Sequence, residues 1–121
     1  MNAQDSSAVL IFVGVALGGG LGSVVRMLLA RWEGSGVPMG ILVANTLGAV
    51  IATVAYQLDL GIWTLIVSAG VAGGLSTFST WAAQTAELWQ SDRKADAINN
   101  LLLHLMVPTF AVLITLFTLN S

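Results

Sequence analysis

Hydrophobic residues fill this chain in four long blocks, with polar punctuation between them. Charged residues stand only at positions 5, 26, 31, 33, 59, 87, 92, 93, 94 and 96. The charge-free intervals 6–25, 34–58, 60–86 and 97–121 hold 20, 25, 27 and 25 residues. A helix needs about 20 mainly apolar residues to cross the hydrocarbon core of a bilayer. The pattern therefore predicts four transmembrane helices, about residues 8–32, 39–57, 62–90 and 97–119. The short segments of alternating polarity that build a membrane β-barrel are not present in it.

The punctuation predicts how the helices connect. Glu33-Gly34-Ser35-Gly36-Val37-Pro38 ends the first helix and turns the chain. Asp59-Leu60-Gly61 is so short that helices 2 and 3 should be antiparallel neighbours, and Ser91-Asp92-Arg93-Lys94-Ala95-Asp96 reads as a solvated loop. Trp32, Tyr56, Trp63 and Trp89 fall at segment ends, where aromatic rings anchor in the headgroup layer. The first block has Asp5 where a signal peptide has its basic region, so it reads as a membrane span. Residues 1–121 form a single four-helix transmembrane domain in this reading, with no room for a separate soluble one.

Composition narrows the function classes. The 121 residues are 56% hydrophobic and 8% charged, against about 25% charged in a soluble domain. Disorder is excluded by the same apolar content. Without cysteine there is no disulfide framework or thiolate metal site. One histidine argues against a His-rich metal site or a Ser–His relay, and four basic residues offer nucleic acid no grip. Arg31, Arg93 and Lys94 all lie in loops 1 and 3, which favours those loops in the cytoplasm. A bias of three residues is small enough for insertion in both orientations.

Small and polar residues mark the helix faces. Gly14, Gly18, Gly22 and Arg26 follow at i+4 steps on helix 1, as do Gly40, Ala44, Gly48 and Ala52 on helix 2. Such faces let helix backbones approach closely. Arg26 either snorkels to the interface or faces a water-filled cavity and draws in an anion. On helix 3, residues 70–81 are rich in glycine and hydroxyls, and residue 76 is midway between Trp63 and Trp89. This predicts an interruption at the bilayer centre, either a kink with hydroxyls bonded back to the helix or an ion site of the broken-helix type. Phe78 and Trp81 form an i, i+3 pair there, for packing or for presenting positive ring edges to an anion. Asn45 on helix 2, and Asn100, His104 and Pro108 at i+4 steps on helix 4, either join helices or bind a solute. No Asp or Glu lies at mid-membrane depth. That argues against a small dual-topology exporter of organic cations and suits a small anion better.

Three of these segments resemble the Fluc/CrcB family of fluoride channels. Gly18-Gly19-Gly20-Leu21-Gly22-Ser23-Val24-Val25-Arg26 is similar to the family's GGxxGxxxR, and Asn45-Thr46-Leu47-Gly48 to its NxxG. Gly73-Gly74-Leu75-Ser76-Thr77-Phe78-Ser79-Thr80 is similar to its GGxTTFSTF, the most specific of the three, with Trp81 in place of the last Phe. The resemblance implies an all-α membrane protein with a break in helix 3, paired as an antiparallel, dual-topology dimer in the cell membrane. It implies passive, selective fluoride conduction that clears the cytoplasm. Hydrogen fluoride enters from acid surroundings and dissociates inside, and a channel lets the membrane potential expel the trapped ion.

Residue by residue, the resemblance assigns Phe78 and Trp81 to the fluoride pore, with Asn45, Thr77, Thr80, Asn100 and His104 beside them. It assigns Arg26 to the vestibule, and the main-chain carbonyls of Gly73 and Ser76 to a central structural sodium ion. Gln84 stands where many members carry Glu. Some members work as unlike pairs with incomplete pore residues. The Trp81 and Gln84 departures therefore keep open a heterodimer in which this chain is a partner subunit.

Overall fold

Helix α1 (Ala3–Leu29) opens on a reciprocal cap: Asn2 Oδ1 accepts from the Asp5 amide at 2.8 Å, and Asp5 Oδ2 accepts from the Asn2 amide at 3.4 Å. The computed structural model describes residues 2–33 and 37–121, and every regular element among them is helical. The cap moves the start of α1 to Ala3 from the expected 8, because a polar capping box propagates a helix past the end of the apolar stretch. The helix also ends before the expected Trp32. Arg31 and Trp32 donate to Leu28 and Leu29 through i→i+3 bonds, which tighten the chain into a turn. Residues 34–36 of the predicted first turn lie outside the described residues.

Helix α2 (Met39–Leu58) ends at Asp59, whose φ of 47° is the left-handed conformation that Asp adopts more readily than most residues. Gly61 (φ 64°) completes the short turn into the next helix, which packs against α2. Helix α3 (residues 62–75) begins and ends α-helical but is π-helical over Ile66–Ala72; the Gly73 amide bonds the Ser68 carbonyl five residues back. After two extended residues the span resumes as α4 (Phe78–Gln90). Helix α5 (Lys94–Asn120) starts three residues before the expected 97. Arg93 and Asp96, expected in a solvated loop, form an ion pair at 2.9 Å across its first turn.

Packing follows the small residues. Helix α1 lies along α3, α2 lies between α3 and α5, and α4 closes onto α5. Gly14, Gly18 and Gly22 all face α3, so their stripe is a packing face. A Cβ added at Gly22 would collide with the Val71 carbonyl, and one at Gly74 with the Gly19 carbonyl, so the two backbones touch. On α2, Gly40, Ala44 and Gly48 are buried and Ala52 is half-buried. The core is thin: Ile41, Leu42, Ile66, Leu75 and Leu88 with four alanines. Large apolar side chains such as Phe12, Leu17, Phe110 and Phe117 face outward. A soluble surface does not tolerate that much exposed apolar area. Four helical spans, Ala3–Leu29, Met39–Leu58, Ile62–Gln90 and Lys94–Asn120, are long and apolar enough to cross a bilayer.

Candidate functional site

Ser76 (φ −88°, ψ 154°) and Thr77 (φ −152°, ψ 129°) are the break in the third span. The segments before and after it, residues 62–75 and the 13 residues of α4, are each about 20 Å long at 1.5 Å per residue. The break therefore lies at the middle of the span, where the sequence put it.

Asn45 holds this break open. Its Oδ1 accepts from the Thr77 amide at 2.6 Å, and its Nδ2 donates to the Thr77 carbonyl at 3.0 Å. In a continuous helix the Thr77 amide would donate to the Gly73 carbonyl, and the Thr80 amide to the Ser76 carbonyl. Here the Thr80 amide donates instead to Thr77 Oγ1 at 3.2 Å. The two carbonyls assigned to a cation by resemblance are thus among the four, of residues 73–76, deprived of their helical donors. Gly73 is exposed on the single chain, and a Cβ there would meet only the Ser68 carbonyl at 3.7 Å. Ser76 turns its hydroxyl back to the Ala72 carbonyl at 2.9 Å, so its side chain is occupied elsewhere. Two main-chain oxygens freed in this way are the hard, neutral ligands that a sodium ion takes.

Thr77 is the N-cap of α4, and its hydroxyl also contacts the hydroxyls of Thr80 at 3.2 Å and Ser79 at 3.3 Å. The first amides of a helix lack intrahelical acceptors and carry partial positive charge. This helix start opens on a cavity of about 270 Å³ lined by Asn45, Ser76, Thr77, Phe78, Trp81, His104 and Pro108. Phe78 and Trp81 meet edge-on, with centroids 5.3 Å apart and planes at 75°. Trp81 stacks on His104 at 5.6 Å. The Trp81 indole N–H donates to the Asn100 carbonyl at 3.2 Å. Trp81 is therefore tethered to α5 and offers the cavity only its ring.

Asn100 is fully buried behind Trp81 and does not line the cavity. Its Nδ2 donates to Thr85 Oγ1 at 2.9 Å, and that hydroxyl donates on to the Trp81 carbonyl at 2.8 Å. Thr85 escaped the sequence reading; its i+4 spacing from Trp81 was the available signal. Asn100 Oδ1 and His104 Nε2 are buried with no partner among the described residues. Arg26 and Thr80 share a second cavity, of about 340 Å³, with Ser23, Val24, Met27, Ala30 and Ile41. The structure thus splits the expected residues into two groups. Asn45, Thr77, Phe78, Trp81 and His104 meet in one cavity, and Arg26 and Thr80 in the other.

The family described as CrcB-like protein, Camphor Resistance (CrcB), matches residues 13–116. The chain is similar to proteins named fluoride-specific ion channel FluC from Salmonella arizonae, Salmonella paratyphi B and Salmonella newport. Each is 35% identical over an alignment of 121 residues that covers 92% of this chain and 94% of the relative.

Proposed function

The chain belongs to the CrcB-like family, and on that premise we propose that it is a fluoride-selective channel that lets cytoplasmic fluoride leave passively and so limits its toxicity. It is a multi-pass membrane protein of an ion-channel family rather than an enzyme family. The observation that carries the reading is the break at Ser76–Thr77. Non-helical backbone at mid-membrane depth persists only where it is buried in protein or lines a cavity. Here it exposes a helix start, the Thr77 hydroxyl and an aromatic pair to one small cavity. Helix N-termini and ring edges both favour an anion. A membrane potential supplies about 2.3 kcal/mol per charge per 100 mV, so an interior-negative cell expels fluoride without nucleotide or proton exchange.

In this reading Phe78, Trp81, Thr77 and His104 line the pore, Asn45 props it open, and Asn100 anchors its wall. Arg26 and Thr80 form the vestibule. Phe78 is 74% exposed and Gly73 is exposed on the single chain, which supports a second subunit covering both. An antiparallel homodimer does so, with a sodium ion held by the Gly73 and Ser76 carbonyls of each subunit. A second reading, a partner subunit that conducts poorly by itself, is favoured by the tethered Trp81 ring. Fluoride efflux from liposomes holding only this purified chain decides between them. Release of fluoride but not chloride, with no proton gradient, is expected of the channel. No release would leave the partner-subunit reading, and release that needs a proton gradient would overturn both.

A further inference from the structure

His104 is the chain's only histidine, and it is 8% exposed. Its Nδ1 lies 3.0 Å from the Asn100 carbonyl. A carbonyl oxygen only accepts, so Nδ1 carries the proton of that hydrogen bond. The neutral ring then has its lone pair at Nε2, the nitrogen that is buried with no partner among the described residues. The ring lines the cavity at the start of α4, and its stack on Trp81 holds its plane.

This lone pair conflicts with the rest of the cavity. The helix start and the Phe78 ring edge attract an anion, whereas a buried lone pair repels one. A proton at Nε2 removes the conflict, because it gives the ring beside the cavity a positive charge. We infer that protonation of His104 controls anion occupancy of this cavity: the neutral ring disfavours fluoride, and the protonated ring binds it. The inference rests on the channel reading above and adds a proton-dependent control to it.

Among the described residues no other titratable group lines this cavity. The cavity lining contains no charged side chain. Of the elements packed against His104, α2 carries only Tyr56, eleven residues beyond Asn45. Helix α4 carries only Glu87, six residues beyond Trp81. Helix α5 itself carries Lys94 and Asp96, ten and eight residues before His104. The 76–77 connection carries none.

Fluoride current across a voltage-clamped planar bilayer is the first test, since neutral hydrogen fluoride carries no current. Above the His104 titration midpoint the current through the full chain should fall about tenfold per pH unit. The His104→Gln variant should show a current independent of pH. A second measurement needs no conduction. In the ¹⁵N-labelled chain the single imidazole gives one assignable pair of ring nitrogens. Adding sodium fluoride should raise the pH at which Nε2 protonates, whereas sodium gluconate should not. A pH-independent current through the unaltered chain, or an unchanged slope in His104→Gln, overturns the inference and leaves the channel reading standing. If no current flows at any pH, the channel reading fails, and a protonation midpoint unmoved by fluoride then overturns the inference as well.

Discussion

The side-chain amide of Asn45 pairs with both backbone groups of Thr77, accepting from its N–H at 2.6 Å and donating to its C=O at 3.0 Å. One side chain on α2 thereby does for the broken span what a neighbouring strand does for an extended residue. The same pairing removes the donor that the Gly73 carbonyl would have had in a continuous helix. The break, the start of α4 and the freed carbonyls all follow from this contact.

Replacing Asn45 by Leu keeps the bulk and removes both hydrogen bonds. Each buried backbone group left unpaired costs about 1–3 kcal/mol, so Asn45→Leu should lower the melting temperature in detergent well beyond a surface change on the same helix. An unchanged melting curve would show that the break is held by other contacts.

Phe78 is largely exposed on the single chain and meets Trp81 edge-on. Phe78→Ile keeps an apolar side chain but removes the positive ring edge. Fluoride efflux from liposomes should drop severely while the size-exclusion profile stays that of the unaltered protein. Undiminished efflux would mean that the aromatic pair only packs.

Backbone contact between α1 and α3 makes a sharp pair of alanine substitutions. A Cβ at Gly74 would run into the Gly19 main chain, whereas one at Gly20 meets nothing within 4 Å. Gly74→Ala should therefore destabilise the protein by at least the roughly 1–3 kcal/mol of an overpacked core site. Gly20→Ala should be close to neutral, and equal effects on thermal stability would argue against this helix contact.

The proposed subunit contact is open to a similar comparison. The space around Gly73 accepts a Cβ within the single chain, and the Ser76 side chain is bonded to the Ala72 carbonyl. Gly73→Leu should yield folded monomer by light scattering, because the added side chain meets the partner and not its own chain. Ser76→Ala should remain dimeric, since only its main chain faces the proposed sodium ion. A dimeric Gly73→Leu protein would remove the site from the interface.

The four spans and the position of the break were legible in the sequence because both rest on one-dimensional quantities. Lipid forbids charge over about 20 residues, so the charge-free intervals count the helices. Adjacent glycines and hydroxyls midway between Trp63 and Trp89 mark where the third helix cannot run on. Helix ends were less legible, since α1 starts at Ala3 and α5 at Lys94 on local caps and ion pairs that an interval count does not register. Periodicity placed Asn45 and Asn100 on particular helix faces, but not what those faces meet. Only the tertiary structure decided that Asn45 pairs with Thr77, 32 residues away, and that the Trp81 N–H is taken by the Asn100 carbonyl, 19 residues away. The physical reason is that an amide, an indole or an imidazole suits a buried hydrogen bond and an ion equally well. Which one it makes is set by the groups that helix packing brings within hydrogen-bond reach, and neighbouring residues along the chain do not encode that choice.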